Sequence, residues 1–122
     1  MSVTNNAIRA ALGAGVEVVA GPAAAQGTAT KLTNAFCRAI GGVATGSFIL
    51  PSILSGEATR PITLVNDTAV AVGVFPAVGE KINGTLNTSI AVAAGASVIL
   101  YPVLNSVLNY PSTLDWRGAV IT

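Results

Sequence analysis

Histidine is absent from this chain of 122 residues, and charge is scarce: Asp, Glu, Lys and Arg together make up 9%, against about 25% in an ordinary soluble domain. Without histidine, the commonest general base and metal ligand is missing. The eight serines and twelve threonines therefore have no imidazole to activate them. A single cysteine, Cys37, excludes an internal disulfide. It stands in the apolar run Ala35–Ile40 and reads as a small buried hydrophobe, with a reactive thiol or an intermolecular bridge as lesser alternatives. The basic residues Arg9, Lys31, Arg38, Arg60, Lys81 and Arg117 form no stripe, and the net charge is +1. That is too little to bind nucleic acid by counterion release. The acids Glu17, Glu57, Asp67, Glu80 and Asp115 each lie in or beside a turn or strand end, where a solvated role is expected. Their spacing fits no calcium loop. The glycine-rich pieces Gly13–Gly15 and Gly41–Gly46 do not match a phosphate loop. No catalytic residue, metal, cofactor or small-molecule substrate is expected, and the chain does not read as an enzyme.

What is present is apolar. Hydrophobic residues make up 52%, led by 21 alanines, 15 valines and 9 isoleucines. Disorder needs the opposite balance. A domain of this size buries only ~60–70% of its unfolded-chain surface, so much of the remainder must be apolar, and such surface usually marks a contact with another molecule. An assembly subunit fits better than a solitary monomer. No charge occurs between Ile82 and Leu114. Ser89–Leu108 has the ~20-residue length of a membrane-spanning helix, but Gly95, Pro102 and Asn105 interrupt it. Two buried strands around a glycine turn are the preferred reading, with no membrane partner. Met1–Gly13 lacks the order of a secretory signal. The glycosylation patterns at Asn66, Asn83 and Asn87 are then read as chance.

Along the chain, Thr4–Gly13 has the caps of a short helix, with Ile8, Ala11 and Leu12 on one face. Gly15–Gly21 reads as a strand, and Gly21–Gly27 as a pliable connection. Residues 1–27 are therefore expected to be an N-terminal arm on a β-domain of residues 28–122. Strands are expected at Lys31–Ile40, Ser47–Leu50, Arg60–Val65, Val70–Phe75, Ser89–Ala93, Ala96–Val103 and Asp115–Thr122. Asn83–Gly84 is the sharpest local signal, a type I′ turn joining Glu80–Ile82 to Thr85–Asn87. Seven to nine short strands at this spacing predict an all-β fold, a single sandwich or barrel of antiparallel strands.

Trp116, between Asp115 and Arg117, reads first as a core-edge residue and second as an intersubunit anchor, since Trp and Arg are favoured there. Tyr110 stands in the polar stretch Asn105–Thr113, where a loop tip touching a neighbour is an option. The candidate interface residues are Ile8, Leu12, Val16, Val18, Trp116 and Arg117; Asn83 and Gly84 are the candidate structural turn.

Pro61–Val103 resembles a module of small virion proteins of tailed bacteriophages. The resemblance rests on Leu64–Asp67, Phe75–Pro76, Gly79, Ile82–Gly84, Ser89–Ile90 and Ala93–Ser97. Upstream it includes Leu32–Thr33 and Leu50–Pro51, and downstream Trp116, so it spans roughly Thr28–Trp116. It implies a structural virion protein: a decoration or cement subunit on the outer surface of the phage head. The implied partners are the major capsid protein and two further copies in a homotrimer. A head spike, fibre base or host-contact module is the alternative.

Overall fold

The computed structural model describes residues 15–41, 46–103 and 114–122. Eleven strands fall there: β1 (Val16–Val18), β2 (Thr30–Lys31), β3 (Phe36–Ala39), β4 (Ser47–Ile49), β5 (Ile62–Asn66), β6 (Val72–Phe75), β7 (Lys81–Ile82), β8 (Thr85–Leu86), β9 (Ile90–Val92), β10 (Ser97–Val103) and β11 (Asp115–Ile121). A single turn of 3-10 helix covers Gln26–Thr28, and no α-helix occurs among the described residues. The expected helix at Thr4–Gly13 lies outside them. The all-β expectation holds.

The expected antiparallel pairing does not. Seven strands form one sheet in the order β1-β3-β5-β10-β11-β7-β8, and four form another in the order β2-β4-β6-β9. Both sheets are mixed. The pairs β1/β3, β3/β5, β2/β4, β4/β6 and β7/β11 are parallel. The cause is that from β1 to β6 the chain changes sheet after every strand. A parallel neighbour needs a crossover of about a dozen residues or more. Residues 19–35 supply one between β1 and β3, and residues 40–61 another between β3 and β5, each carrying a strand of the other sheet midway. Short connections that suggest hairpins are thus arches. Lys31–Ile40 is accordingly two strands in different sheets, broken at Leu32–Ala35. Likewise Gly95 turns the chain from β9 in one sheet to β10 in the other.

Stacking gives the inner face an apolar ladder. Val16 sits beside Cys37, Cys37 beside Leu64, Leu64 beside Val98 and Val98 beside Val120. In the smaller sheet Phe48 sits beside Val74. These residues belong to one core with Leu32, Leu50, Leu100 and Trp116. Leu32 and Leu50 each follow a strand directly and extend its ladder, Leu32 N donating to Ile49 O and Leu50 N to Phe75 O, both at 2.9 Å. Both side chains are buried. Cys37 is buried here as expected, its Sγ donating to Asn34 O at 3.3 Å; burial pushes its thiol pKa up.

The part of the expected arm that is described is built into the fold. β1 is the edge strand of the large sheet, and Ala20 joins the core. The Gly21–Gly27 stretch is pinned rather than pliable. Gly21 bridges Ser47, Ser47 Oγ donates to Ala23 O at 2.6 Å, and Gln26 Nε2 donates to Pro76 O at 2.8 Å.

Two side chains set the turns. Asn66, fully buried at the end of β5, donates from Nδ2 to Val70 O (2.8 Å), Val92 O (2.9 Å) and Ala93 O (3.2 Å). Its Oδ1 accepts from Thr68 N and Thr68 Oγ1. The Asn83–Gly84 turn is as expected: φ is 49° at Asn83 and 84° at Gly84, and β7 pairs antiparallel with β8.

Two substitutions test this framework. Asn66→Ala strips three donor bonds and leaves buried carbonyls unpaired, so it should lower stability by ~3 kcal/mol, at about 1 kcal/mol per bond. Chemical denaturation measures it; an unchanged midpoint would refute the clamp. Gly84→Val forces a β-branched residue into positive φ and should cost ~1–2 kcal/mol. A melting temperature equal to the parent's would contradict the turn.

Candidate interaction surface

All five carboxylates are engaged structurally. Glu17 and Asp67 share one cation, Arg38, whose Nη1 and Nε reach them at 2.7 and 2.6 Å. Glu57 takes both oxygens to Lys31 Nζ at 2.7 Å. Asp115 pairs with Arg117 Nε at 2.8 Å and accepts the Gly84 N–H at 3.2 Å. Two acids correct the expectation of a solvated role: Asp115 is buried, and so is Glu80. Its oxygens accept from Ser52 Oγ (2.8 Å), Ile53 N (2.9 Å) and Leu54 N (3.1 Å). Those three donors meet the need of a buried carboxylate for partners, and they fasten the long β4–β5 connection under the β6–β7 corner. Among the described residues no group of three or more His, Cys, Asp or Glu side chains gathers to hold a metal. A polar depression lies between Thr33, Asn34, Glu57 and Arg60, but its carboxylate is the one already held by Lys31.

The candidate residues separate into two places. Val16 and Val18, on the β1 edge, are half-buried and pack on the core. Ile8 and Leu12 lie outside the described residues, as does Tyr110. Asn83, Gly84, Trp116 and Arg117 come together at the far side of the same sheet. There Asn83 N donates to Trp116 O at 2.8 Å. The Asn83 side chain continues the ladder one step further, Nδ2 donating to Gly118 O at 2.9 Å while Gly118 N donates to Oδ1 at 3.2 Å. Gly118 has to be glycine, because a Cβ there would overlap the Ile99 carbonyl oxygen. Trp116 is fully buried in the chain's own core, as the first of its two readings has it. Its Nε1 has no hydrogen-bond partner among the described residues. Arg117, next to it, points outward.

Strand register lays out the exposed face of the large sheet. One row runs Phe36, Thr63, Ile99, Ala119 across β3, β5, β10 and β11. The next runs Glu17, Arg38, Val65, Ser97, Ile121. Tyr101 sits beside Arg117. Phe36, Tyr101, Val103 and Ile121 are between 42% and 54% exposed, large apolar side chains that the chain's own core does not cover. The sequence analysis missed this face except for Arg117. The signal that would have found it is the alternation along β10 and β11, where Val98, Leu100 and Trp116 point in while Ile99, Tyr101 and Arg117 point out.

No known family model matches the chain, and no curated protein matches it.

The Lys31–Glu57 pair sets a pH dependence. Hydrogen bonding to the Lys31 ammonium holds the Glu57 carboxyl below its usual range. A depressed folded-state pKa contributes stability above the unfolded value, about 4.3, and that contribution is lost as pH falls through the folded value. Glu57→Gln should therefore melt slightly below the parent at neutral pH, and the gap should close in acid below the carboxylate range. A gap that widens in acid would contradict the pair. The effect is small because both partners are about half exposed.

Proposed function

We propose that this protein is a structural subunit of a phage particle, a decoration or cement protein that docks on the outer surface of the head and reinforces it. The observation that carries the reading is the outer face of the seven-stranded sheet, on which the large apolar side chains Phe36, Tyr101, Val103 and Ile121 are exposed among the charged Glu17, Arg38 and Arg117. A face of that kind favours contact with protein over water. The five carboxylates, all spent on internal partners, support a scaffold over a catalyst. The near-neutral charge supports a place away from packaged DNA. The two sheets around one core are read as a sandwich-like body.

The size of the face favours many weak contacts over one strong one. With strands ~4.8 Å apart and same-face residues ~6.8 Å apart, four strands by three rows cover roughly 400 Å². That is about half of the ~800 Å² per partner in a standard stable interface. A subunit held this way gains from repetition, as in a homotrimer seated on a symmetric shell, where each added contact acts intramolecularly.

Sedimentation of the purified protein should give a trimer at micromolar concentration. Tyr101→Lys together with Ile121→Lys should shift it toward monomer without lowering the melting temperature. A wild-type monomer at that concentration would overturn the trimer. Immunogold labelling of purified phage particles with antibody to this chain should decorate the whole head surface. Label confined to a vertex would favour a spike, and label confined to the tail or absent would overturn a place on the head.

A further inference from the structure

We propose that Asn83 is a deamidation site that β11 holds in check, so that the β7–β8 hairpin carries a one-way chemical change released only when it parts from β11. Asn83 and Gly84 are both exposed at the tip of the turn. Glycine after asparagine leaves the following main-chain nitrogen without a flanking side chain. Around a Cβ built at Gly84 the nearest atom is Arg117 Nη2 at 3.7 Å, so the approach is open. In the reaction Gly84 N attacks Cγ of Asn83. The N–Cγ bond forms, the Cγ–Nδ2 bond breaks, and ammonia leaves carrying the proton that Gly84 N gives up. Water then opens the five-membered imide at either carbonyl, giving aspartate or isoaspartate.

Three contacts oppose the first step in the folded chain. Attack requires the Asn83 side chain to swing toward Gly84 N, yet both ends of its amide are bonded to the Gly118 main chain. The Gly84 N–H is engaged by Asp115 Oδ1 at 3.2 Å. A carboxylate at that distance also disfavours the anionic nitrogen that attack requires. The same contacts make the change irreversible in structure. Hydrolysis replaces the Nδ2 donor with an oxygen facing the Gly118 carbonyl, where two acceptors repel. It also adds a negative charge beside Asp115. A hairpin that has reacted cannot rebuild the step of ladder that fastened it.

The test compares the full chain in mildly alkaline buffer with the same chain in concentrated urea, following the one-dalton gain at Asn83 by peptide mass spectrometry. Folded protein should react at least about tenfold more slowly, the factor expected from breaking two hydrogen bonds of ordinary strength. Asp115→Asn should speed the reaction in buffer and leave it unchanged in urea. Deamidated protein, separated by ion exchange, should melt below the parent. Equal rates in buffer and urea would overturn the restraint, and an unchanged melting temperature after deamidation would overturn the one-way release. Should Asp115→Asn fail to fold, the buffer-against-urea comparison on the parent chain decides alone.

Discussion

A fully buried asparagine amide holds this fold at its busiest corner. Asn66 ends β5 in the large sheet, yet its side chain binds the carbonyl that leads into β6 and two carbonyls at the end of β9, both in the small sheet. Its main chain binds the β9–β10 turn from the other side, Asn66 N donating to Ala96 O and Gly95 N to Asn66 O, each at 2.8 Å. An asparagine costs free energy to bury unless its donors and acceptor are met; here both donor hydrogens and the acceptor oxygen are occupied. The amide has one geometry in which that is so, and it fixes where the chain leaves each sheet. Register across the inner apolar ladder then follows, because Asn66 sits two residues beyond Leu64 on the same face.

Burial of Glu80 repeats the device without an amide. Its carboxylate accepts two main-chain N–H groups and the Ser52 hydroxyl, so the long β4–β5 connection closes on three hydrogen bonds to one buried side chain. These bonds act beside two apolar anchors of the same connection, Leu50 and Ile53, both in the core. Leu54 of that connection stays 73% exposed. Sparse charge in this chain is therefore structural: acids fasten connections and strands, and the ion pairs place one charged residue each on β1 and β2, two of the four edge strands. Glu17 on β1 and Lys31 on β2 each carry a charge at an open sheet edge, a known guard against unwanted strand pairing.

Strand positions were legible in the sequence, because glycine, proline and Asn-Gly punctuate it and because alternation along Phe36–Ala39 puts Cys37 and Ala39 on one face. The Asn83–Gly84 turn was legible for the most local of reasons: both residues must take positive φ, and few residue types do. Sheet membership was not legible. An arch and a hairpin can share the same short connecting sequence, and what separates them is whether the next strand meets its predecessor or the opposite sheet. That is decided by contacts such as those of Asn66, distant in sequence. The stacked arches also hid from any search for a fixed period, since the connections between successive rungs differ in length: four residues part β2 from β3, while residues 50–61 part β4 from β5.

The same uncertainty explains the candidate surface. Trp116 and Arg117 are neighbours in sequence, but adjacent residues on a strand point to opposite faces, so no more than one of them can lie on a given face. Trp116 went to the core, beside Ile82 and Leu114 of the same cluster, and Arg117 to the outside with Tyr101. Once the inner face of β10 and β11 is fixed by Val98, Leu100, Trp116 and Val120, the residues that alternate with them along those strands face the other way. Ile99, Tyr101, Val103, Ala119 and Ile121 are apolar at positions where an isolated subunit gains nothing from being so. A chain this short cannot turn them all inward, because the inner face already has its full row. Their outward apolar character is thus a property of the sequence that the fold alone does not require, and it is this surplus that the proposed docking role would account for.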